Sequence, residues 1–333
     1  MKRIISLGLC LFLTAIAVSI FTGCARDEAQ FNLTLGSSFA RASPQIAATL
    51  RFADEVREAT NGAVNINVFS DGVIGTERDL ILQLAADEVD FAVVGIMPID
   101  MFAPEFGFMS APFLYRDLEH AQAVFYSHLG DTMRGRFLEH NINLVAEIWR
   151  GARHTSSDRA IRTPGDVSGL RIRMTEIPSW VAVWRDGLGA ITIPIALGEL
   201  YTALQTGVVE ASEGPYEQLA NFRFYEVQRY LINTGHIFDW GGLYASQRLL
   251  DRLPREYYEI VVQKAREFIT EWGTAFSDEQ AQQFRQQLLN GGMQDISIEN
   301  FADFSDRVMP IYEGFFNDGT WTSSLSEIQS FIR

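Results

Sequence analysis

The chain has 333 residues, 47% of them hydrophobic, and its 42 acidic against 27 basic residues give a formal net charge of −15. That length supports two ordinary domains with cores of their own. The acidic excess argues against nucleic acid as a partner and against a general field that would draw in anions, so any anionic ligand must be held by local cations. Lys2 and Lys264 are the only lysines, and almost every base is therefore the residue better suited to two-pronged contact with a carboxylate.

Met1-Lys2-Arg3 followed by an apolar run from Ile4 to Phe21 has the charged start and apolar middle of a secretory signal. A membrane anchor competes with that reading, because the run of 18 residues is at the lower limit for spanning a bilayer. Phe21-Thr22-Gly23-Cys24 resembles the lipobox at which bacterial lipoproteins are cut and acylated, with Phe21 in place of the usual leucine. The expectation is a lipoprotein signal peptide over 1–23 and a lipidated Cys24; simple secretion or a retained anchor are the alternatives. Loss of Lys2 and Arg3 would take the net charge from −15 to −17. Cys10, the other cysteine, lies inside the signal, so no disulfide is expected.

Phe31, Leu33 and Leu35 alternate as a first strand, followed by a polar loop at Gly36-Ser37-Ser38. Ser43-Pro44 is a cap and a first-turn proline that open a helix ending at Asn61-Gly62. Val64, Ile66 and Val68 alternate as a second strand, Thr76 caps the next helix, and Phe91 to Val94 is a continuous apolar strand of the kind buried on both faces of a parallel sheet. This alternation predicts a doubly wound α/β unit. The Phe-rich run from Met97 to Phe113 reads as core rather than as an exposed partner surface. Helical periodicity covers Leu118 to His140, and Leu144 to Trp149 reads as a strand leading into Arg150-Gly151-Ala152-Arg153, where a second α/β unit begins.

Leu170, Ile172 and Met174 alternate with Arg171 and Arg173, which puts apolar side chains on one strand face and two guanidiniums on the other. Glu176-Ile177-Pro178 ends that strand and starts a helix. Arg173 thus sits where a strand gives way to a loop, the end at which α/β proteins bind ligands. Further strands are predicted at Ile191 and Val208, with a helix at Leu200 between them and an acidic turn at Glu213-Gly214-Pro215. Leu253 to Leu289 keeps helical periodicity with only Gly273 inside it, long enough to cross two lobes and to kink near that glycine. Two amphipathic pieces complete the tail. His120, His128, His140 and His236 suit surface or satisfied core positions. No H-E-x-x-H, G-x-S-x-G, P-loop or paired C-x-x-C occurs, which lowers the enzyme reading.

The order of RIR (171–173), a Gly-Ala turn, ELYTALQTGVV (199–209) and SEGP (212–215) resembles the solute-binding proteins of tripartite ATP-independent periplasmic (TRAP) transporters, DctP type, over the whole mature chain. The resemblance implies a two-lobed, type II periplasmic binding protein-like α/β fold, with lobe I over 25–150 plus about 240–279 and lobe II over 151–239 plus about 280–333. It implies that Arg173 grips a substrate carboxylate and that Arg153 is a second arginine near the substrate, a hinge salt bridge being the other reading of Arg153. Ser38 and Glu77 map onto polar family positions in the first lobe. Trp149 and Trp180 could stack on a ligand or pack in the core, and Glu176 and Glu213 could accept from ligand hydroxyls. Gly214 departs from the family, where asparagine is frequent, which puts a second carboxylate contact in doubt. Gly95 stands where relatives that bind sialic acid carry glutamate, so sialic acid is not favoured.

The resulting expectation is a solute-binding protein, not an enzyme, that closes by a hinge on a small organic acid, a sugar acid first, and delivers it to a TRAP membrane permease. It is expected outside the cytoplasmic membrane, anchored through Cys24, monomeric, and without a metal or other cofactor. A receptor subunit for a sensor kinase and a secreted enzyme are the alternative readings.

Overall fold

The computed structural model describes residues 29–331; the signal segment and Cys24 lie outside the described residues. Local sequence chemistry sets the first elements as expected. Ser43 accepts from the Ile46 N–H at the start of helix α1 (Pro44–Ala59). Thr76 and Asp79 form a reciprocal capping box at the start of helix α2 (Glu77–Ala85). Each cap satisfies amide groups that the first helical turn leaves without partners.

The strands are β1 (Phe31–Ser37), β2 (Val64–Phe69), β3 (Phe91–Val94), β4 (Ile142–Ser157), β5 (Arg171–Met174), β6 (Ile191–Pro194), β7 (Ala211–Pro215), β8 (Tyr230–Ser246) and β9 (Gln294–Ser297). Among the described residues they form one mixed sheet in the order β2-β1-β3-β8-β4-β7-β5-β6, with β9 added to β8. β1 is parallel to β2 and β3, and β5 is parallel to β6 and β7. The expected parallel units therefore stand at the two ends of the sheet.

The long antiparallel pair β4–β8 joins them. It runs from Ile142↔Ser246 to Ser157↔Tyr230, with register shifts between Leu144 and Ala146, Trp149 and Ala152, and Arg153 and Thr155. β3 is buried throughout but pairs antiparallel with β8, which corrects the expectation of purely parallel neighbours. The strand expected over Leu144 to Trp149 extends as β4 through Arg150 to Arg153, and Gly151 at φ 78° supplies the backbone conformation the bulge needs. The strand expected at Val208 begins at Ala211, and the expected acidic turn at Glu213 is its buried interior.

A helical column from Arg255 to Asn290 runs as Arg255–Ala265, widened π-type turns over Arg266–Gly273, and Thr274–Asn290. A Cβ at Gly273 would meet Ile148 at 2.8 Å and Ala48 at 3.0 Å, so the glycine lets the column lie against β4 and α1. Core packing is shared among three clusters. One joins α1, β1 and β2 to the column through Val261 and Phe268. A second gathers Leu200, Leu219, Phe224 and Leu288 at the other end. The largest includes Phe106, Phe108 and Phe113, which places the Phe-rich run in the core, as expected.

Candidate ligand-binding cleft

A cleft of about 710 Å³ opens between the two parallel ends of the sheet. Its walls are the segments that follow β1 (Ser38), β3 (Gly95), β5 (Thr175) and β6 (Ile195), together with the start of α2. Arg150 and Arg153 from β4 and Asp239 from β8 also line it. Chain leaving the carboxyl ends of parallel strands diverges there, which is why the crevice forms at that place.

Arg173 enters the cleft from the end of β5 and is 6% exposed. Its Nε donates to the Ile195 carbonyl at 2.8 Å and its Nη1 to Thr175 Oγ1 at 3.1 Å. Neutral acceptors alone hold it, and none of the ion pairs among the described residues involves it. Burial accordingly lowers its pKa to about 10. Arg171, on the same strand face, is exposed and pairs with Glu210 at 3.3 Å.

The other two buried arginines are neutralised by protein acids. Glu213 receives Arg153 Nε at 2.5 Å and Nη2 at 2.8 Å, a two-pronged pair. Asp239 Oδ2 bridges Arg153 Nη1 at 3.0 Å and Arg150 Nη1 at 3.2 Å, and Arg150 Nη2 also pairs with Glu217. Burial alone would lower both arginine pKa values, but these acids hold them above the ordinary range. For Glu213, burial pushes upward, and Arg153 and His236 overcome it and hold the carboxyl well below the usual range. The two guanidiniums also lie over aromatic rings, Arg150 at 4.3 Å from Phe39 and Arg153 at 4.9 Å from Trp180.

Glu77, the first residue of α2, is half-buried and lines the same cleft. Its Oε1 accepts from the Gly95 N–H at 2.7 Å. A Cβ on Gly95 would lie 3.1 Å from that oxygen, so the bare glycine is what admits the carboxylate. Burial raises the Glu77 pKa, opposed by the Gly95 amide and by Arg150.

The cleft thus gathers Ser38, Glu77, Arg153, Arg173, Glu176 and Trp180 from the sequence-derived candidates, with Glu176 exposed at the mouth. Three candidates fall elsewhere. Trp149 turns away, its Nε1 donating to Tyr126 Oη at 3.2 Å and its ring meeting Phe125 at 5.5 Å, because alternation along β4 points it to the opposite side. Glu213 is fully buried behind Arg153 and outside the lining, spent on the arginine rather than offered to a ligand. Gly214 is covered: a side chain there would meet Gln218 Nε2 at 2.6 Å, so the Gln218 amide fills the space and itself lines the cleft.

Sequence reasoning missed Arg150, Asp239 and Gln218. Arg150, three residues before Arg153, was the one with a usable signal. His154 and His236 are buried beside the site and serve the frame. His154 stacks on Tyr216 at 4.2 Å and accepts from the Gly235 N–H at 3.2 Å, and burial lowers its pKa to about 3. His236 lies against Thr234 Oγ1 at 2.8 Å and Glu213 Oε2 at 3.3 Å. No helix among the described residues is long and apolar enough to cross a membrane.

Comparison with known proteins bears on this geometry. A family model described as bacterial extracellular solute-binding protein, family 7 (DctP), matches residues 35–318. A solute-binding protein of Verminephrobacter eiseniae is 34% identical over 246 residues, 73% of this chain and 72% of the relative. The crystal structure of a TRAP periplasmic solute-binding protein from Roseobacter denitrificans, with bound L-galactonate, superposes with a TM-score of 0.83 at 25% identity, over 92% of this chain and 100% of that one. One from Bradyrhizobium sp. BTAi1, in complex with D-galacturonate, has a TM-score of 0.82 at 27% identity, over 90% and 99%.

Proposed function

Because the chain belongs to the bacterial extracellular solute-binding proteins of family 7, the solute-binding proteins of TRAP transporters, we propose that it captures a sugar acid in the cleft by hinge closure and hands it to a membrane permease. The observation that carries this reading is Arg173: a buried guanidinium at a strand end, facing the cleft, in no ion pair with a carboxylate among the described residues. A ligand carboxylate would supply the missing charge, bound by a planar fork of donors. Glu77, Asp239, Ser38 and Gln218 would take the ligand's hydroxyl groups, and Trp180 would wall the cleft beneath Arg153. The role is binding, with no chemical step.

The lobes are read as 25–150 plus about 240–279 and 151–239 plus about 280–333, hinged where β4 and β8 cross the sheet with shifted register. Closing two lobes on a ligand removes it from water and strengthens each polar contact inside. The protein is read as acting outside the cytoplasmic membrane, held there through lipidated Cys24. The test is mass spectrometry of ligand released from purified protein, followed by calorimetry with L-galactonate, D-galacturonate and D-glucuronate on the stripped protein. Micromolar or tighter binding of at least one, with contraction in small-angle scattering, is expected. Binding of none of them would refute the sugar-acid reading.

A further inference from the structure

The charges inside the cleft are unevenly matched. Arg150 and Arg153 are already paired with Asp239, Glu213 and Glu217, which leaves Arg173 as the one buried cation of the lining outside any ion pair among the described residues. Glu77 faces the same space, and the Gly95 amide at 2.7 Å is the only hydrogen-bond donor that it has among the described residues. Arg78, the remaining arginine of the lining, is exposed at a mouth that it shares with exposed Asp71, Glu176 and Glu199.

We infer that Glu77 is a specificity-determining residue that limits the cleft to acids with one carboxylate, so that aldonates and uronates enter and the matching diacids, the aldarates, are refused. This rests on the sugar-acid reading proposed above and deepens it. One carboxylate of a bound sugar acid is met by Arg173. A second, at the other end of the same carbon chain, finds every other buried cation already taken, and it shares the cleft with Glu77 and Asp239. Like charges brought together in a cleft of reduced polarity repel, whereas the hydroxyl that an aldonate carries there can donate to the Glu77 carboxylate. The acidic mouth and the net charge of −15 oppose a dianion further. Glu77 cannot swing clear cheaply, since its position at the start of α2 and its bond to Gly95 hold it in place.

The experiment is calorimetry at pH 7.5 on ligand-stripped full-length protein with matched pairs: L-galactonate and D-galacturonate against galactarate, and D-gluconate and D-glucuronate against D-glucarate. The wild type should bind its best monoacid at least roughly thirtyfold tighter than the matching diacid, the size of one like-charge contact at such a site. Glu77→Gln keeps an oxygen for the Gly95 amide and removes the charge, so it should narrow that ratio by about tenfold, chiefly by improving the diacid. A diacid binding within about threefold of its monoacid in the wild type, or a ratio unchanged in Glu77→Gln, overturns the inference and leaves the sugar-acid reading standing. Failure of every monoacid and diacid to bind overturns both.

Discussion

Replacing Arg173 with alanine separates binding from folding more cleanly than any other substitution in the cleft. In the ligand-free protein the guanidinium is buried with only two neutral acceptors, at 2.8 and 3.1 Å, and its pKa is lowered to about 10. Desolvation of the charge and the two hydrogen bonds offset one another, so Arg173→Ala should change ligand-free stability by no more than about 1 kcal/mol in either direction. In the complex the loss is one-sided. The ligand carboxylate would be left buried without its cation, which costs about 3 to 5 kcal/mol. At about 1.4 kcal/mol per tenfold, affinity should fall by about two to three and a half orders of magnitude.

Arg173→Lys should restore part of this, keeping the charge and losing the planar fork. Arg171→Ala is the control, because Arg171 is exposed and paired with Glu210; it should bind as the wild type does. The assay is calorimetry with the best sugar acid, alongside thermal unfolding with and without ligand. Arg173→Ala binding within a few-fold of wild type would refute the assignment, and so would a larger loss in Arg171→Ala.

Glu213→Gln should destabilise the protein by about 3 to 5 kcal/mol at pH 7, because Arg153 stays buried with its main partner neutralised. The folded-state pKa of Glu213 lies below its ordinary 4.5, so its contribution is present above that value and lost as pH falls toward the folded one. Urea unfolding from pH 7 down to pH 3 should show the gap between variant and wild type shrinking. Glu77 has the opposite sign: its pKa is raised above 4.5, so its contribution is present below that value and lost as pH rises through the folded one. Glu77→Gln should flatten that dependence, and anion binding to the wild type should take up protons, read by calorimetry in buffers of different ionisation heat. Trp149→Phe should leave affinity within about twofold of wild type and lower stability by about 1 kcal/mol, as its hydrogen bond to Tyr126 is lost. Cys24→Ser should abolish labelling with a radioactive fatty acid in cells, and persistence of the label would refute acylation at that residue.

Much of the frame was legible because it is set locally. Caps at Ser43 and Thr76, alternation in Phe31–Leu35 and Val64–Val68, and the proline and glycine stops each act within a few residues, where side-chain chemistry and backbone sterics decide. The strand at Tyr230–Ser246 escaped because it is a central strand buried nearly throughout, carrying Gly235, Gly241 and Gly242 and the polar Thr234, His236 and Asp239, so it shows neither alternation nor a clean apolar run. Period two places Arg171 and Arg173 on one face, but it cannot say which of them is buried. That is decided by the chain following β5 and β6, which supplies Thr175 and Ile195 around Arg173, and by the surface position that leaves Arg171 to Glu210.

The sequence by itself determined the two parallel units, the family pattern and the presence of arginines at a strand end. Only the tertiary structure decided which arginine remains unmatched. Arg153 finds Glu213 at a separation of 60 residues and Asp239 at 86, and no local rule pairs groups so far apart. A buried guanidinium paired with a protein carboxylate braces the fold, while the same group outside any ion pair can take the charge of the ligand we propose. That distinction exists only once distant segments are folded together.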